Sequence, residues 1–435
     1  KEAEKKEKVE SKFVSFLSNL PKIKEEDSDK SDDGLSPIDE GKTGEFIPTV
    51  HDKKQPGFNP MRVLHKMNEI PMMRSVAIRP SLKHFYDPNV INNLERKRRD
   101  LQTAGQFFQD EEFPPHTPSS LGHSSSFMMG KKLKWSRLDS KHNPKHVLFD
   151  QVKPDVLKQG ALGDCYLLSG IAALAEVPDF LRRLIYPKDL SKEGVYAVTL
   201  CDSGEWRTIV IDDHVPCYDY SNEPAFSKHT EGDNGIFIPL IEKAYAKIFG
   251  SYQAIEAGNP TLALNSLTGA PTDYFDLEDN SFQDNPQKEK VIWDYLYSMQ
   301  SQDYLTVASS TEDNMIRSQL PLSQKGIVKG HAYTVLGVYQ IILDNGTLEH
   351  LIKIRNPWGK MEWNGDWSDN SKCWTSKTKA QVGGVVNADD GSFFMAVRDF
   401  IKCYSDVSTC KFHPNYHYSF IKVENKFQMQ PKNIS

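Results

Sequence analysis

Cys165, His331 and Asn356 are the residues whose types and surroundings could support nucleophilic chemistry. Cys165 lies in the segment KQGALGDCYLLSGIAAL (158–174), directly before an apolar stretch that predicts a buried helix. The free N–H groups and the positive dipole end of a helix N-terminus favour thiolate over thiol. We therefore expect the pKa of the Cys165 thiol to be lowered, whereas a lone cysteine is ordinarily a small core residue.

Two segments of β-type sequence supply the partners that such a thiol needs. His331 begins the first (HAYTVLGV), and Asn356 ends the second (IKIRN), just before a proline. On neighbouring strands, the Asn356 amide oxygen would accept the imidazole N–H and leave the other ring nitrogen facing the thiol. Trp358 could shield this hydrogen bond from water. The order Cys, His, Asn resembles that of papain-like proteases.

An attacked carbonyl group also needs hydrogen-bond donors for the oxyanion that forms on it. The backbone N–H groups at the start of the predicted helix offer the first donor. The side-chain amide of Gln159, six residues before Cys165, could offer the second. The stretch around Cys165 therefore contains both a candidate nucleophile and candidate oxyanion donors.

The composition argues against several classes of function. A formal net charge of −6 gives no general reason to bind nucleic acid or a membrane. The six cysteines include no CxxC pair and no Cys/His group with zinc spacing, so we expect reduced thiols. We find no apolar run of membrane-spanning length and no signal peptide. These features predict a cytoplasmic protein without a membrane span.

Residues 1–94 differ from the rest of the chain. Runs of charged residues such as KEAEKKEKVE alternate with segments that contain Ser, Gly and Pro. A chain of this composition cannot bury enough apolar surface to fold alone. We predict a largely disordered or strap-like extension. Apolar residues at helical spacing could form a short partner-binding helix, or a fraying helix without a partner: Phe13, Phe16, Leu17 and Leu20.

The remaining sequence predicts a globular body with a helix-rich half before a strand-rich half. In the first half, GVYAVTL and EWRTIVIDD alternate like paired strands, and IPLIEKAYAKIFG predicts an amphipathic helix that ends at Gly250. In the second half, the predicted strands are DYLTVAS, HAYTVLGVYQI, EHLIKIRNP and GSFFMAVRDF, with DNG at a hairpin turn. The change from helix-rich to strand-rich sequence occurs near residues 270–280.

The sequence resembles the calpain family of cysteine proteases. Matching segments include QGALGDCYLL, LIEKAYAKIFGSY, VKGHAYTVLG, IRNPWGKMEWNGDWSDNS and DDGSFFMAVRDF. Several long motifs in one order make the likeness specific. It implies an α+β, papain-like two-lobed core, with the cysteine in lobe 1 (95–272) and the histidine and asparagine in lobe 2 (273–412). Residues 413–435 would begin a C2-like domain or form a C-terminal tail.

The resemblance also implies roles for individual residues. It implies that Cys165 is the nucleophile and that His331 acts as both base and acid. Asn356 would orient the imidazole, and Gln159 would donate to the oxyanion. Gly258 and Gly330 match positions whose backbone holds an extended substrate. Trp358 matches a tryptophan that lies between the two half-domains until calcium draws them together.

Calcium is the regulatory cofactor that the resemblance implies, because the family's protease core binds it in each half. In the second half, the acidic ligands implied are Glu362, Asp369 and Asp390. Ser392 stands where an acid is usual. The first-half site matches less well, since Asp155 is displaced by one residue and Asp233 would substitute for a missing acid.

Two functions are compatible with these residues. The first is a calcium-dependent intracellular cysteine endopeptidase that carries out limited proteolysis of protein substrates. The second is a catalytically silent, calpain-like structural or interaction protein that docks on a large assembly, such as the cytoskeleton, through residues 1–94. The complete Cys-His-Asn set favours the first.

Overall fold

The computed structural model describes residues 86–115, 118–122, 132–139, 143–312, 321–385, 389–414 and 418. Most of the predicted extension, including the candidate helix around Phe13, therefore lies outside the described residues. Residues 88–94, which we assigned to the extension, form the first turns of a helix. Most of the predicted tail, 413–435, also lies outside the described residues.

The described part of the chain contains both helices and strands in a mixed order. The α-helices are α1 (Pro88–Ala104), α2 (Pro118–Leu121), α3 (Cys165–Leu174), α4 (Pro178–Arg183), α5 (Phe237–Phe249), α6 (Pro260–Thr268), α7 (Asn280–Gln283), α8 (Lys288–Ser301), α9 (Ser376–Gln381) and α10 (Val397–Cys403). Short 3-10 helices occur at Pro154–Val156, Gln253–Ile255 and Leu322–Lys325.

The strands of the described residues form four antiparallel sheets. They are β1 (Leu133–Arg137), β2 (Leu157–Lys158), β3 (Ile185–Tyr186), β4 (Val195–Asp202), β5 (Glu205–Asp212), β6 (His214–Tyr218), β7 (Lys228–His229), β8 (Thr272–Asp276), β9 (Leu305–Ser310), β10 (Ala332–Ile342), β11 (Leu348–Arg355), β12 (Ser392–Ala396) and β13 (Tyr404–Cys410). The largest sheet has the order β12-β11-β10-β9-β13-β8, and the smaller sheets are β3-β4-β5, β1-β6 and β2-β7. Mixed helix and sheet of this kind confirms the predicted fold class.

The first hydrophobic core is built around α3. Every residue of this helix from Tyr166 to Leu174 is buried, which fits a helix that is apolar on all sides. α5 and α6 pack into the same core, together with β4. α5 ends where predicted, at Gly250, whose φ of 95° is readily adopted only by glycine.

The second core lies on the six-stranded sheet, where α8 and α10 cover one set of side chains. The predicted hairpin between β10 and β11 is present, and its register runs from Thr334 opposite Arg355 to Ile342 opposite Leu348. One prediction is wrong in part: GSFFMAVRDF (391–400) is a strand only as far as Ala396, and the rest begins α10. The apolar run is consistent with either element, because both are buried.

The helix of the first core and the sheet of the second are joined directly. The Ser169 hydroxyl in α3 donates to the Ala332 carbonyl oxygen (3.0 Å), and the Thr334 hydroxyl in β10 donates to the Ser169 carbonyl oxygen (3.0 Å). Both hydroxyl-bearing side chains are buried, so these bonds also satisfy groups that would otherwise be costly inside the protein. This reciprocal pair fixes the start of β10 against the middle of α3.

A buried ion pair within the first core joins α5 to β5. The Lys243 ammonium donates to the Asp212 carboxylate and to the His214 carbonyl oxygen, and both charged side chains are fully buried. Burial alone would raise the pKa of Asp212, but hydrogen bonds from His214 and Asp110 and the Lys243 charge outweigh it, so the pKa is lowered. A carboxyl group with a lowered pKa stabilises the folded state at neutral pH and loses that contribution as the pH falls.

We expect the substitution Lys243→Met to lower the free energy of unfolding by about 3–5 kcal/mol, because it leaves a carboxylate buried without its cation. Chemical denaturation at neutral pH measures the change. Lys290→Met is the matched control, since Lys290 pairs with Asp294 on the exposed face of α8 and such pairs contribute about 0–1 kcal/mol. Equal losses in the two variants would contradict a stabilising role for the buried pair.

Candidate active site

The structure brings His331 and Asn356 into direct contact. His331 lies immediately before β10 and Asn356 immediately after β11, and these two strands are paired. The His331 Nε2 atom is 2.9 Å from the Asn356 Oδ1 atom, and both residues are buried. The antiparallel pairing therefore produces the contact that the sequence predicts.

The hydrogen bonds of the Asn356 amide determine the protonation of the imidazole. Its Nδ2 atom donates to the Lys360 and Met361 carbonyl oxygens, at 2.8 and 3.1 Å, so its Oδ1 atom is the acceptor on the other side. The Trp358 backbone N–H also donates to Oδ1, at 3.0 Å. An acceptor facing Nε2 requires the proton on Nε2, which leaves Nδ1 as the basic nitrogen of neutral His331.

Cys165 is the first residue of α3 and is partly buried. The backbone N–H groups of Ala332 and Tyr166 lie close enough to the thiol sulfur to favour its charged form and so oppose the increase of its pKa. Because Ala332 follows His331 in the chain, the sulfur lies beside the segment that carries the imidazole. The reciprocal bonds between Ser169 and β10 maintain this proximity.

The prediction of a lowered thiol pKa is wrong for this arrangement. Burial raises the pKa of the Cys165 thiol to about 11, and the adjacent Asp164 charge adds to the increase, whereas the donors at the helix N-terminus oppose it. Burial likewise lowers the pKa of His331 to about 4, against the opposing effect of the Asn356 hydrogen bond. Desolvation therefore outweighs the helix dipole, and the neutral thiol and neutral imidazole are the favoured forms.

Gln159 lies near both parts of the candidate site. Its backbone N–H donates to the Pro357 carbonyl oxygen (2.9 Å), one residue from Asn356. Its side-chain Nε2 atom donates to the Leu162 carbonyl oxygen (2.6 Å), which occupies one of the two amide hydrogens. One N–H of Gln159 is thus left for the role predicted from the sequence.

The two glycines predicted to hold substrate have different surroundings. A side chain at Gly258 would meet the Tyr166 ring at 2.4 Å, so the glycine allows the backbone to lie against that ring. The neighbouring Ala257 N–H donates to the Gly163 carbonyl oxygen (2.9 Å), which ties this segment to the turn before Cys165. Gly330 has a φ of 57° and directly precedes His331. Their substrate contacts stay a prediction.

Trp358 packs against the imidazole. The centroids of the Trp358 and His331 rings are 4.9 Å apart with an interplanar angle of 52°. The indole therefore lies against the imidazole that contacts Asn356, and its role in shielding that hydrogen bond from water stays a prediction. Its proposed movement with calcium stays a prediction.

The acidic residues predicted as second-half calcium ligands lie within electrostatic range of one another. Burial raises the pKa of Glu362 to about 7, and the charges of Asp369, Asp390 and Asp389 add to this increase. Glu362 accepts a hydrogen bond from the Gly391 N–H (2.7 Å). Hard carboxylate oxygens in this environment fit a Ca²⁺ ion, whose charge would offset theirs. Asp389 was missed as a candidate, although it precedes Asp390.

The first-half candidates fit calcium poorly. The Asp233 carboxylate accepts from the N–H groups of Gly235 (2.9 Å) and Gln151 (3.1 Å) and contacts the His229 imidazole (2.6 Å). The Asp155 carboxylate pairs with Lys153 at 3.0 Å. Across the described ranges, no group of three or more His, Cys, Asp or Glu residues is already arranged as a metal site, so any ligation requires side chains to converge.

Two residues that support the site were not predicted. The Ser310 hydroxyl accepts from the His331 N–H (3.0 Å), and the Ser310 N–H donates to the His331 carbonyl oxygen (2.9 Å). The Arg355 guanidinium donates to the carbonyl oxygens of Asp155 (3.0 Å) and Asp390 (2.6 Å) and thus joins the segment before β2 to the end of β11. The residues that Ser310 and Arg355 contact here are distant from them in the sequence, so no local pattern could have indicated these hydrogen bonds.

Comparisons with known proteins agree with this geometry. Residues 108–411 match the model of a family described as calpain family cysteine protease. Calpain-type cysteine protease DEK1 of Arabidopsis thaliana is 35% identical over 316 residues, which cover 71% of this chain and 14% of that protein. From Mus musculus, the calpain-1 catalytic subunit is 35% identical over 332 residues (74% of this chain, 44% of that protein), and the calpain-2 catalytic subunit is 33% identical over 331 residues (74% and 45%).

The chain spans less than half the length of these curated relatives. A solved structure of SERA5E from Plasmodium falciparum has 12% identity and a TM-score of 0.19 and covers 32% of this chain and 46% of that one, which is too distant to bear on the fold. Within the described residues, no helix has both the length and the apolar character needed to cross a membrane. The family model covers well over half of the sequence and includes Cys165, His331 and Asn356. This chain belongs to the calpain family of cysteine proteases.

Proposed function

We propose that this chain is a calcium-dependent cysteine endopeptidase that cleaves protein substrates at a limited number of sites. The observation that carries the proposal is the hydrogen bond between His331 Nε2 and Asn356 Oδ1, beside a helix that begins with Cys165. It leaves Nδ1 of the imidazole as a base, and the next residue, Ala332, has its backbone N–H close enough to Cys165 to affect the thiol pKa. Membership of a peptidase family supports peptide bonds as the substrate class.

The reaction follows from these groups. His331 Nδ1 takes the Cys165 proton, and the thiolate attacks the carbonyl carbon of the scissile peptide. The oxyanion accepts hydrogen bonds from the Cys165 backbone N–H and the remaining Gln159 amide N–H. Collapse of the intermediate breaks the C–N bond as His331 gives its proton to the leaving amine. Water, deprotonated by His331, then hydrolyses the thioester and restores the thiol.

The proposed calcium dependence gives the buried thiol a means of activation. With the pKa of Cys165 raised and that of His331 lowered, proton transfer between them is unfavourable in the described arrangement. We propose that calcium is held by Glu362, Asp369, Asp389 and Asp390, which supply hard oxygen ligands. When bound, the ion supplies positive charge next to the loop that follows Asn356.

We also propose a cytoplasmic location, with a large assembly such as the cytoskeleton as partner of residues 1–94. All six cysteines are free thiols, which supports a reducing compartment. The proposed docking segment lies almost entirely outside the described residues, so its support is its composition alone. Co-sedimentation of the full chain and of a chain lacking residues 1–85 with filaments tests this assignment.

A thiol-directed epoxide probe tests the enzymatic proposal. We expect covalent labelling of Cys165 when calcium is present and little labelling when calcium is chelated, together with hydrolysis of a denatured protein substrate under the first condition only. The probe needs a deprotonated sulfur, so labelling reports the chemistry directly. Peptide mapping by mass spectrometry identifies the labelled residue.

Cys165→Ala is the control, and it should lose both labelling and hydrolysis. Cys201→Ser is the thiol control, because Cys201 is a buried cysteine on β4, in the sheet β3-β4-β5, and it should retain both. Absence of labelling with and without calcium, in a protein that still co-sediments with filaments, would favour the catalytically silent alternative.

The raised thiol pKa predicts the pH dependence of alkylation in the calcium-free protein. A raised cysteine pKa means that thiolate forms only as the pH approaches about 11. The rate of iodoacetamide reaction at Cys165 should therefore rise with pH and level off near 11. At pH 7.5 the thiolate fraction should be about one hundredth of that of an unperturbed thiol, but a thiolate of higher pKa is about tenfold more nucleophilic, so the rate should be about one tenth. A rate that levels off below pH 8 would contradict the neutral resting thiol.

The proposed calcium ligands predict a specific mutational effect. Glu362→Gln removes one charged ligand and should raise the calcium concentration for half-maximal probe labelling by about tenfold or more. Glu289→Gln, an exposed acid on α8, should leave that concentration unchanged. Calcium titration of both variants makes the comparison, and an unshifted titration for Glu362→Gln would exclude Glu362 as a ligand.

A further inference from the structure

Two buried carboxyl groups face each other behind the candidate nucleophile. Asp164 directly precedes Cys165 and is completely buried, and Glu242 on α5 is 2% exposed. The two carboxyl groups lie close enough to each other for a hydrogen bond, which needs a proton on one of them. Asp and Glu are almost never buried without a partner, so this arrangement of two acids needs a physical explanation.

The surroundings supply few donors for two negative charges. Neither Asp164 carboxylate oxygen accepts a hydrogen bond from an N–H or hydroxyl group of the described residues, and no ion pair reaches either acid there. Glu242 accepts a hydrogen bond from the Ser227 N–H at 2.9 Å, and the Ser227 hydroxyl also lies near its carboxyl group. Lys243, the next residue on α5, directs its ammonium to Asp212 instead. Two unpaired charges at this position would carry a large desolvation cost.

We propose that Asp164 and Glu242 form a carboxyl pair that shares a proton and positions Cys165 for the reaction. This inference rests on the proposed function, because it assigns positioning residues to the same site. A proton on one acid converts a repulsive contact into an O–H···O hydrogen bond. The pair then needs no cation, which accounts for the absence of one among the described neighbours.

The pair is connected to Cys165 through the turn that begins α3. The Asp164 carbonyl oxygen accepts from the N–H groups of Leu167 (2.9 Å) and Leu168 (3.1 Å), so the Asp164 backbone forms the first turn of the helix. The preceding Gly163 is held by Ala257 on the opposite side. The Asp164–Glu242 contact ties this turn to α5, and it thereby fixes the direction of the Cys165 N–H and thiol.

The ionisable groups that face the pair are a thiol and phenols. They are Cys165, Tyr166, Tyr245 and Tyr252. Burial raises the pKa of Asp164 to about 7 and raises that of Glu242, to which the Asp164 charge also contributes. These phenols and the thiol are neutral near pH 7. Among the described residues that face the pair, none therefore supplies a positive charge, and a proton on the pair itself must reduce its negative charge.

Infrared difference spectroscopy tests the shared proton directly. We expect the spectrum of the wild-type chain minus that of Glu242→Gln at pH 7.5 to contain the carbonyl band of a protonated carboxylic acid, since ordinary surface acids are ionised there. Asp406→Asn is the matched control, because Asp406 is also a buried acid but lies on β13 and accepts from two serines. A wild-type spectrum without a band that depends on Glu242 would overturn the shared proton.

The dependence of stability on pH gives a second test. Acids with a raised pKa bind protons in the folded state that the unfolded chain has released, so their contribution is greatest at low pH and is lost as the pH rises toward about 7. The melting temperature of Asp164→Asn/Glu242→Gln should therefore increase relative to wild type between pH 4 and pH 7. A constant difference across this range would contradict the pair.

The positioning role is tested by kinetics in the presence of calcium. Glu242→Gln can donate an amide N–H to Asp164 and should keep kcat within about threefold of wild type, whereas Glu242→Leu should lower kcat by about tenfold or more with KM nearly unchanged. Equal kcat values for Glu242→Leu and wild type would overturn the role. If Glu242→Leu does not fold, Glu242→Ala replaces it as the variant that leaves Asp164 without its partner, with the same loss of kcat expected.

Failure of the proposed function would be distinguishable from failure of the pair. If the wild-type chain cleaves no substrate, the rate of Cys165 alkylation replaces kcat as the readout, and Glu242→Leu should change it while Asp406→Asn should not. The infrared band and the melting temperatures need no catalysis at all.

Discussion

The contact between α3 and β10 is the constraint on which the candidate site depends. α3 belongs to the first core and most of β10 to the second, yet the Ser169 hydroxyl donates to the Ala332 carbonyl oxygen and the Thr334 hydroxyl donates to the Ser169 carbonyl oxygen, both at 3.0 Å. Because β10 begins directly after His331 and α3 begins with Cys165, one packing contact determines the distance between nucleophile and base. A shift of either element would move the two groups relative to each other and would also disturb the buried packing of α3.

Several fully buried polar residues surround this contact. Each is held in place by hydrogen bonds with its neighbours and not by apolar packing. Asn356 uses both its oxygen and its nitrogen, and Arg355 donates to carbonyl oxygens on both sides of the site. Replacing any partner would leave a buried donor or acceptor unsatisfied, which costs about 1–3 kcal/mol. The geometry of the site is therefore maintained by interactions that are individually sensitive to substitution.

Cys165, His331 and Asn356 could be predicted because each lies in a local pattern: an acid–cysteine step before an apolar helix, and polar residues at the ends of β-type segments. Their contact followed from strand pairing. Ser310, Arg355 and Glu242 could not be predicted, since their roles depend on neighbours far away in the sequence. The 391–400 segment was misassigned in part because a buried strand and a buried helix have the same apolar composition.

The error in the predicted thiol pKa has a physical explanation that extends to the rest of the site. A helix N-terminus lowers a thiol pKa when the sulfur is near water, but here burial and the adjacent Asp164 act in the opposite direction. The same burial lowers the pKa of His331 to about 4, so the two groups lose their charges together. The burial of the sulfur and of the imidazole therefore disfavours an ion pair between them. Any step that activates this thiol must make its surroundings more polar. Entry of water or substrate would do so, as would movement of the Trp358 indole away from the imidazole.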